Sequence, residues 1–451
     1  MGYADVSEMT QRVPDAPEEH LTKEDKQNLE FGPLTSEKWL YVSKHNPLEE
    51  LPAPILDEPP YFIVIFTFLN YFILTVIGHI RDFFGMRFYP ENFEAMLPKD
   101  GYPPWYFAYE SFYARRLKRR LDDCFAIPIH GVPGRYIRCF NRYSNDYNET
   151  IYYDGTSKAC LNLSSYNYLG FAQSVGRCTD DSIETVNNYG TSSCGSVNTI
   201  AHNNLTRETE KLVANFVGKD DSLIFSMGFG TNANFFSSLV NSKCLVISDS
   251  LNHGSTRVGI RISGAAVKIF PHNDMDKLEH IIREAISQGQ SKTHRPWKKI
   301  LVCVEGLYSM EGDLVNLPRL VELREKYKFF LFVDEAHSIG ALGETGRGIC
   351  EYFSVPPSKV DILMGTFTKS FGAAGGYIAA HQHLIDRLRL DIMTNYASES
   401  SPPAVLQQIS TSLRIISGEL NDWDLSSMVT MILQLFHCCC TTHKRCLLFP
   451  E

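Results

Sequence analysis

The chain has 451 residues, of which 44% are hydrophobic and 21% charged, so it can bury a substantial core and is not disordered throughout. Acidic residues outnumber basic ones by 52 to 43, and the net charge of −9 gives no general electrostatic reason to bind nucleic acid. The 12 cysteines among 451 residues are too sparse for a disulfide scaffold, and their spacing predicts no metal site, which together favour a reducing compartment.

The N-terminal 80 residues divide into two segments of opposite character. Residues 1–60 are rich in proline and charge, which predicts a polar tail. Residues 61–80 contain no Asp, Glu, Lys or Arg, and 20 helical residues cover about 30 Å, the thickness of a bilayer core. We therefore predict a transmembrane helix over 61–80. A buried core helix is the alternative, and Asn70 and His79 leave a re-entrant or interfacial helix open.

Charges around this apolar run predict its orientation. Arg81 and Arg87 follow it, whereas Asp57 and Glu58 precede it. Basic residues next to a span stay on the cytoplasmic side, so a single-pass anchor with a cytosolic body is expected. Residues 81–150 then form a membrane-proximal connecting segment.

An alternating α/β pattern fills residues 151–385. The predicted strands are Ser222–Ser226, Cys244–Ser248, Ala266–Phe270, Lys299–Val304, Phe329–Val333, Ile362–Met364 and Gly376–Ala380. Helical stretches lie between them, among them Leu205–Phe216, Met275–Ile286 and Leu317–Tyr327. The alternation predicts a mostly parallel sheet covered by helices on both faces, and residues 386–451 remain as a C-terminal region.

Polar segments follow three of the predicted strands, at the edge where open α/β sheets bind ligands. They are Asp249–Gly254, Asp334–Ser338 and Gly365–Gly372. Taken alone, the Asp-Glu-Ala-His sequence of the second segment suggests a helicase. That function requires a GxxxxGK[ST] phosphate loop, which the chain lacks, so we reject it.

A lysine on one of these loops indicates chemistry with an aldehyde cofactor. Lys369 can bind the aldehyde of pyridoxal 5′-phosphate (PLP), and its hydroxyl neighbours can bind the phosphate: Thr366, Thr368 and Ser370. Asp334 can keep the pyridine nitrogen protonated, His337 can reach the phenolic oxygen, and His253 can stack on the ring. Each residue alone has an ordinary structural explanation, but their occurrence together at three strand ends favours a PLP site.

Four segments together resemble the α-oxoamine synthases, PLP-dependent enzymes, over roughly residues 60–415. They are Ser165–Phe171, Val304–Gly312, Val333–Gly343 and Gly365–Gly372. The resemblance implies a PLP-dependent fold-type I large domain, similar to that of aspartate aminotransferase, over residues 151–385. It also implies a small C-terminal domain, which residues 386–451 are too few to complete.

The resemblance implies roles for individual residues. Lys369 and His253 are the implied catalytic residues, which hold the cofactor and help to remove a proton from the amino acid. The implied cofactor-binding residues are Lys369, Asp334, His337, His253, Ser309, Thr366 and Thr368, with the backbone amides of Gly228 and Phe229.

The resemblance also implies a reaction and partners. The reaction is the decarboxylating condensation of L-serine with palmitoyl-CoA to 3-oxosphinganine, the first step of sphingolipid biosynthesis. The implied partner is a related long-chain-base subunit that lacks the lysine, in a heterodimer at the endoplasmic reticulum membrane.

The chain departs from the family pattern at three places. Val197 stands near the position of a usual arginine, and Glu399 replaces a small hydroxyl residue. We expect the resemblance to stop near Ile416, after which Cys438–Cys440 could be palmitoylated or could belong to an alternative reading frame. A truncated, catalytically silent isoform that binds the partner subunit is therefore the alternative function.

Overall fold

The computed structural model describes residues 59–107, 109–134, 136–145, 151–197, 203–392 and 398–420. Within these ranges the chain divides into a first unit, residues 59–131 and 136–161, and a second unit, residues 132–134 and 162–420. The predicted tail, apart from Pro59 and Pro60, and the end of the C-terminal region lie outside the described residues.

The first unit contains a long helix, short helical turns and a small sheet. Helix α1 spans Tyr61–Phe88 and so extends beyond the predicted 61–80. A 3₁₀ turn (Pro90–Met96), a π-helical turn (Ala114–Lys118) and helix α2 (Arg119–Phe125) follow. Strands β1 (Ile129–His130), β2 (Tyr136–Tyr143) and β3 (Tyr152–Leu161) form an antiparallel sheet in the order β1-β2-β3. Because β3 pairs with β2, this unit continues past the predicted boundary at residue 150.

Helix α1 is long and apolar enough to cross a membrane. Gly78 and Asp82 are its buried residues, whereas the apolar side chains before them are largely exposed, so α1 is not a core helix of the described residues. Its C-terminal part is fixed by Asp82, which accepts hydrogen bonds from Arg115 Nη2 at 2.9 Å and Arg116 Nε at 3.1 Å. The part of α1 whose side chains are exposed is therefore the apolar run before Gly78.

The second unit is built on a seven-stranded sheet. Its strands are β4 (Asp221–Phe225), β5 (Leu245–Asp249), β6 (Ala266–Phe270), β7 (Ile300–Glu305), β8 (Phe330–Asp334), β9 (Ile362–Thr366) and β10 (Gly376–Ala380). The order is β4-β10-β9-β8-β7-β5-β6, and only β10 runs antiparallel to its neighbours. All seven predicted strands and the mostly parallel sheet are confirmed.

Helices cover both faces of this sheet. The helices of this unit are α3 (Arg177–Tyr189), α4 (Asn204–Val217), α5 (Gly228–Leu239), α6 (Gly254–Ser263), α7 (Met275–Gln288), α8 (Leu317–Tyr327), α9 (Ile349–Tyr352), α10 (Gln382–Asp391) and α11 (Pro403–Ile416), with a 3₁₀ turn at Pro357–Lys359. Side-chain oxygens of Asn203, Asp274 and Asn316 accept from the first turns of α4, α7 and α8. These caps place the starts of the helices where the sequence predicts them.

The sheet separates two apolar layers. Val302 and Val304 of β7 pack with α7 and α8 on one face, whereas Leu301 and Cys303 pack with α5 and α6 on the other. Strands buried on both faces need apolar residues at every position, which explains the unbroken apolar runs in the sequence. Helices α5 and α6 cross closely at Gly259, where an added Cβ would lie 2.3 Å from Asn232 O.

Candidate active site

The carboxyl ends of four neighbouring parallel strands, β9, β8, β7 and β5, form one edge of the sheet. The three polar segments predicted at strand ends follow β5, β8 and β9, and therefore meet at this edge. The loop after β7 joins them there. Ligands of open α/β sheets bind at this position.

Asp334 is the last residue of β8, and its carboxyl group is buried. Oδ2 accepts from Asn232 Nδ2 at 2.8 Å, and Oδ1 accepts from the backbone N–H of Ala336 at 3.0 Å. The same Asn232 amide lies 3.0 Å from Ser255 Oγ, so α5 and α6 both contribute to the setting of Asp334. Burial raises the pKa of Asp334, although these hydrogen bonds oppose the rise.

Lys369 lies in the loop after β9, and its Nζ is 2.6 Å from Nε2 of His337. The next residue fixes the loop, because the buried Ser370 Oγ donates to Ile339 O at 2.7 Å. Burial lowers the pKa of Lys369, while the nearby Asp334 and Glu305 oppose that shift. A lysine whose pKa is lowered is more often an uncharged amine, the form that reacts with an aldehyde.

His337 connects Lys369 to Tyr168, whose Oη is 2.9 Å from His337 Nδ1. Burial, with Lys369 nearby, lowers the pKa of His337 to about 3, so the imidazole is neutral near pH 7. The turn that carries His337 is fixed by the buried Glu335, which accepts from Ser338 Oγ at 2.5 Å and Ile349 N at 3.0 Å. Burial raises the pKa of Glu335 to about 7.

Glu305 brings a second buried carboxyl group to the site. It ends β7 opposite Asp334 in the parallel register and accepts a short hydrogen bond from the backbone N–H of His253. Burial, reinforced by Asp334, raises the pKa of Glu305 to about 8. Near pH 7 this residue therefore holds its proton.

His253 is the N-cap residue of α6, and its ring is accessible from the edge of the sheet. Its Nδ1 lies 2.7 Å from Ser255 Oγ, which fixes the ring orientation. The exposed ring of Phe229 meets it edge-on, with the ring centroids 6.2 Å apart. His253 is thus free to cover one face of a flat ligand.

The N-terminus of α5 lies against the lysine loop. A Cβ on Gly228 would lie 3.2 Å from Thr366 Cγ2 and 3.3 Å from Gly375 O, so glycine permits this approach. Thr368 Oγ1 donates to Thr366 Oγ1 at 3.2 Å. Backbone N–H groups of a helix N-terminus beside two hydroxyls form an arrangement that binds phosphate.

The remaining predicted residues lie farther out. Ser309 is exposed in the loop after β7, and among the described residues no contact joins it to Lys369. The two departures from the family pattern are neighbours, because Ser196, next to Val197, forms an antiparallel bridge with Glu399. Ser193 Oγ also lies 2.6 Å from Ser400 Oγ.

Three residues of the site were not singled out from the sequence. Tyr168, Asn232 and Glu305 contact His337, Asp334 and the backbone of His253, respectively. Tyr168 and Glu305 belong to the segments Ser165–Phe171 and Val304–Gly312, on which the family resemblance rests. Membership in these motifs was the sequence signal that could have identified them as site residues. Their roles depend on contacts that no local pattern predicts.

The model of the family "Aminotransferase class I and II" matches residues 158–441. A solved structure of serine palmitoyltransferase from Sphingomonas wittichii has a TM-score of 0.57 and 25% identity, and the match covers 68% of this chain and 72% of that one. A solved structure of SPT with the PLP internal aldimine has the same TM-score, identity and coverage. The fold is that of the PLP-dependent aminotransferases. The family match continues past Ile416, where the resemblance was expected to stop.

Two curated relatives define the family more narrowly. "Serine palmitoyltransferase 2" of Kluyveromyces lactis is 58% identical over 416 residues, which cover 92% of this chain and 74% of that protein. "Serine palmitoyltransferase 2" of Saccharomyces cerevisiae is 57% identical over 409 residues, which cover 91% and 73%. The chain belongs to the serine palmitoyltransferase 2 family.

Proposed function

We propose that the chain is the PLP-binding subunit of a serine C-palmitoyltransferase, which condenses L-serine with palmitoyl-CoA to 3-oxosphinganine and releases CO₂ and CoA. The observation that carries this proposal is the cluster of Lys369, His337, Asp334 and Glu305 at the carboxyl ends of β7, β8 and β9. The similarity to serine palmitoyltransferase 2 proteins supports the choice of substrates.

The charges of the site fit the cofactor. Two buried carboxyl groups, Asp334 and Glu305, lie next to Lys369, and burial disfavours charge on all three. A protonated pyridine ring would supply the positive charge that a buried Asp334 carboxylate needs. When bound, PLP supplies an electron sink for negative charge that develops on the substrate carbon.

The side chains then have distinct tasks. Lys369 would hold the cofactor aldehyde and, once displaced by serine, would take the proton from the serine Cα. Asp334 would hold the pyridine N–H, His253 would cover the ring face, and His337 with Ser309 would bind the phenolic oxygen. The phosphate would be bound by one set of groups: Thr366, Thr368 and the backbone N–H groups of Gly228 and Phe229.

Lys369→Ala tests this assignment. The purified wild-type chain, co-expressed with the related subunit, should show visible absorbance that borohydride fixes as a covalent adduct on the Lys369 peptide. Lys369→Ala should lose the adduct and serine-dependent CoA release, whereas the exposed control Lys292→Ala should keep both. An adduct without CoA release would favour the silent isoform, and an unlabelled Lys369 would refute the PLP-binding role.

The membrane and partner assignments are part of the proposal. We propose that α1 anchors the chain in the endoplasmic reticulum membrane as a single pass, with the second unit in the cytosol, and that the related lysine-lacking subunit completes a heterodimer. The exposed apolar run of α1 and the basic residues that follow it support the anchor. Resistance of the chain to carbonate extraction, lost when residues 61–77 are replaced by a polar linker, is the expected result.

A further inference from the structure

Tyr168, His337 and Lys369 form a chain of two hydrogen bonds. Tyr168 Oη lies 2.9 Å from His337 Nδ1, and His337 Nε2 lies 2.6 Å from Lys369 Nζ. Two residues from separate parts of the sequence thus contact opposite nitrogens of one imidazole ring. The ring is half-buried, which limits the competition of water for either nitrogen.

The state of the imidazole restricts how these bonds can run. Because the pKa of His337 is far below 7, the ring carries a single N–H. If that N–H is on Nδ1, Nε2 is an acceptor that points at Lys369. If it is on Nε2, the ring donates toward Lys369, and Nδ1 must accept from another group.

We propose that Tyr168 is a positioning residue, whose hydroxyl donates to His337 Nδ1 and thereby holds the imidazole N–H on Nε2, facing Lys369 and the phenolic oxygen of the cofactor. This inference rests on the proposed function. A phenol is a good donor to a neutral imidazole nitrogen, and the contact that a histidine makes at one nitrogen sets the proton position at the other. Tyr168 therefore makes His337 a donor to the cofactor.

Other charged groups act on the same amine. Asp334 and Glu305 favour a proton on Lys369 and so oppose the lowering of its pKa. His253 acts on its neighbours instead, since it lowers the pKa of Asp334 and of His337. The ring of Tyr166 lies 5.8 Å from Lys369 Nζ. Tyr166 comes from the same motif as Tyr168 and also meets the His337 ring edge-on, but within the described part of the chain its side chain makes contacts through its ring and none through its hydroxyl. It is therefore a matched control.

The experiment compares Tyr168→Phe with Tyr166→Phe in the cofactor-loaded heterodimer, with the visible absorbance of the bound cofactor recorded against pH. A donor on the phenolic oxygen weakens the attraction of that oxygen for a proton on the Lys369 nitrogen. Tyr168→Phe should therefore move the midpoint of the absorbance change upward by about 0.5–1 pH unit. Tyr166→Phe should leave the midpoint unchanged.

A second comparison shows whether Tyr168 acts through His337. In a His337→Asn background, the additional change Tyr168→Phe should not move the midpoint further. An unshifted midpoint for Tyr168→Phe with full cofactor occupancy, or an equal shift in both backgrounds, would overturn the proposal. Loss of cofactor binding by Tyr168→Phe at an unchanged unfolding temperature would also count against it, since the hydroxyl is assigned an orienting role only. If the wild-type chain captures no PLP, the proposed function itself fails.

Discussion

Glu305 and Asp334 stand opposite each other in the register of β7 and β8, so two buried carboxyl groups lie side by side beside Lys369. Two such groups do not both ionise readily, because burial and mutual repulsion penalise the second charge. With the pKa of Glu305 near 8, the proton stays on Glu305, and Asp334, which has two N–H donors, is the better place for the negative charge.

This arrangement predicts the pH dependence of stability. The folded pKa of Glu305, about 8, lies above the value of about 4.5 for an exposed glutamate. Between these values the folded chain binds more protons than the unfolded chain, so the free energy of unfolding should fall as pH rises from about 4.5 to 8. Glu305→Gln should flatten this decline, measured by denaturation of the cofactor-free chain. The exposed Glu344→Gln is the control and should leave the slope as in the wild type.

Asp334→Asn tests the role of the carboxylate at the end of β8. An amide keeps the size and an acceptor for Asn232, but it cannot stabilise a protonated pyridine nitrogen. We expect serine-dependent CoA release to fall about 100-fold or more, with a smaller loss of cofactor retention. The exposed Asp276→Asn should behave as the wild type. Wild-type activity of Asp334→Asn would contradict the assignment.

Asp221 should contribute strongly to the stability of the second unit. It accepts from Arg207 Nη1 at 2.8 Å and Arg389 Nη1 at 2.7 Å, and these partners lower its pKa to about 2 against the effect of burial. Asp221→Asn removes one of the two buried carboxylates that both arginines contact, the other being Glu210, and should cost about 3 kcal/mol in the free energy of unfolding at pH 7. The effect should shrink as pH falls toward 2, because the wild-type carboxylate then becomes protonated.

The neighbouring Asp220 provides the control for this prediction. Its side chain is 56% exposed and lies 3.5 Å from the exposed His381. Asp220→Asn should therefore change the free energy of unfolding by less than about 1 kcal/mol. Equal losses for the two asparagine variants would refute the buried-network account.

Gly259→Ala tests the close crossing of α5 and α6. The added methyl group would lie 2.3 Å from Asn232 O, so the helices must separate and the amide that holds Asp334 must move. We expect a lower unfolding temperature, by several degrees, and weaker PLP retention. Gly254→Ala in the same helix places its methyl group in open space, and its unfolding temperature should match that of the wild type.

The sequence predicted most of the fold because its signals are local. Runs such as Leu301–Val304 must be apolar throughout to be buried on both faces, and helix caps such as Asn316 mark where helices begin. The end of α1 was less predictable. The apolar run stops before Arg81, but the helix continues to Phe88. In this last part Asp82 accepts hydrogen bonds from Arg115 and Arg116, which lie more than 30 residues later in the chain.

The site was predictable only in part, because only some of its features produce a local signal in the sequence. Lys369, Asp334, His337 and His253 could be placed at strand ends because strand ends are visible in the sequence. Glu305 acquires its raised pKa from the register of two strands, and Tyr168 meets His337 across 169 residues of chain. Such contacts arise only when the tertiary structure has formed.

The position of β10 has a consequence for biosynthesis. Strand β4 lies at the edge of the sheet, and its one strand partner among the described residues is β10, about 150 residues further along the chain. At roughly 5–20 residues per second, a ribosome needs about 8 to 30 seconds to make that interval. Throughout this time β4 lacks the strand it pairs with and its apolar side chains stay exposed, so we expect the nascent chain to be prone to aggregation until β10 emerges.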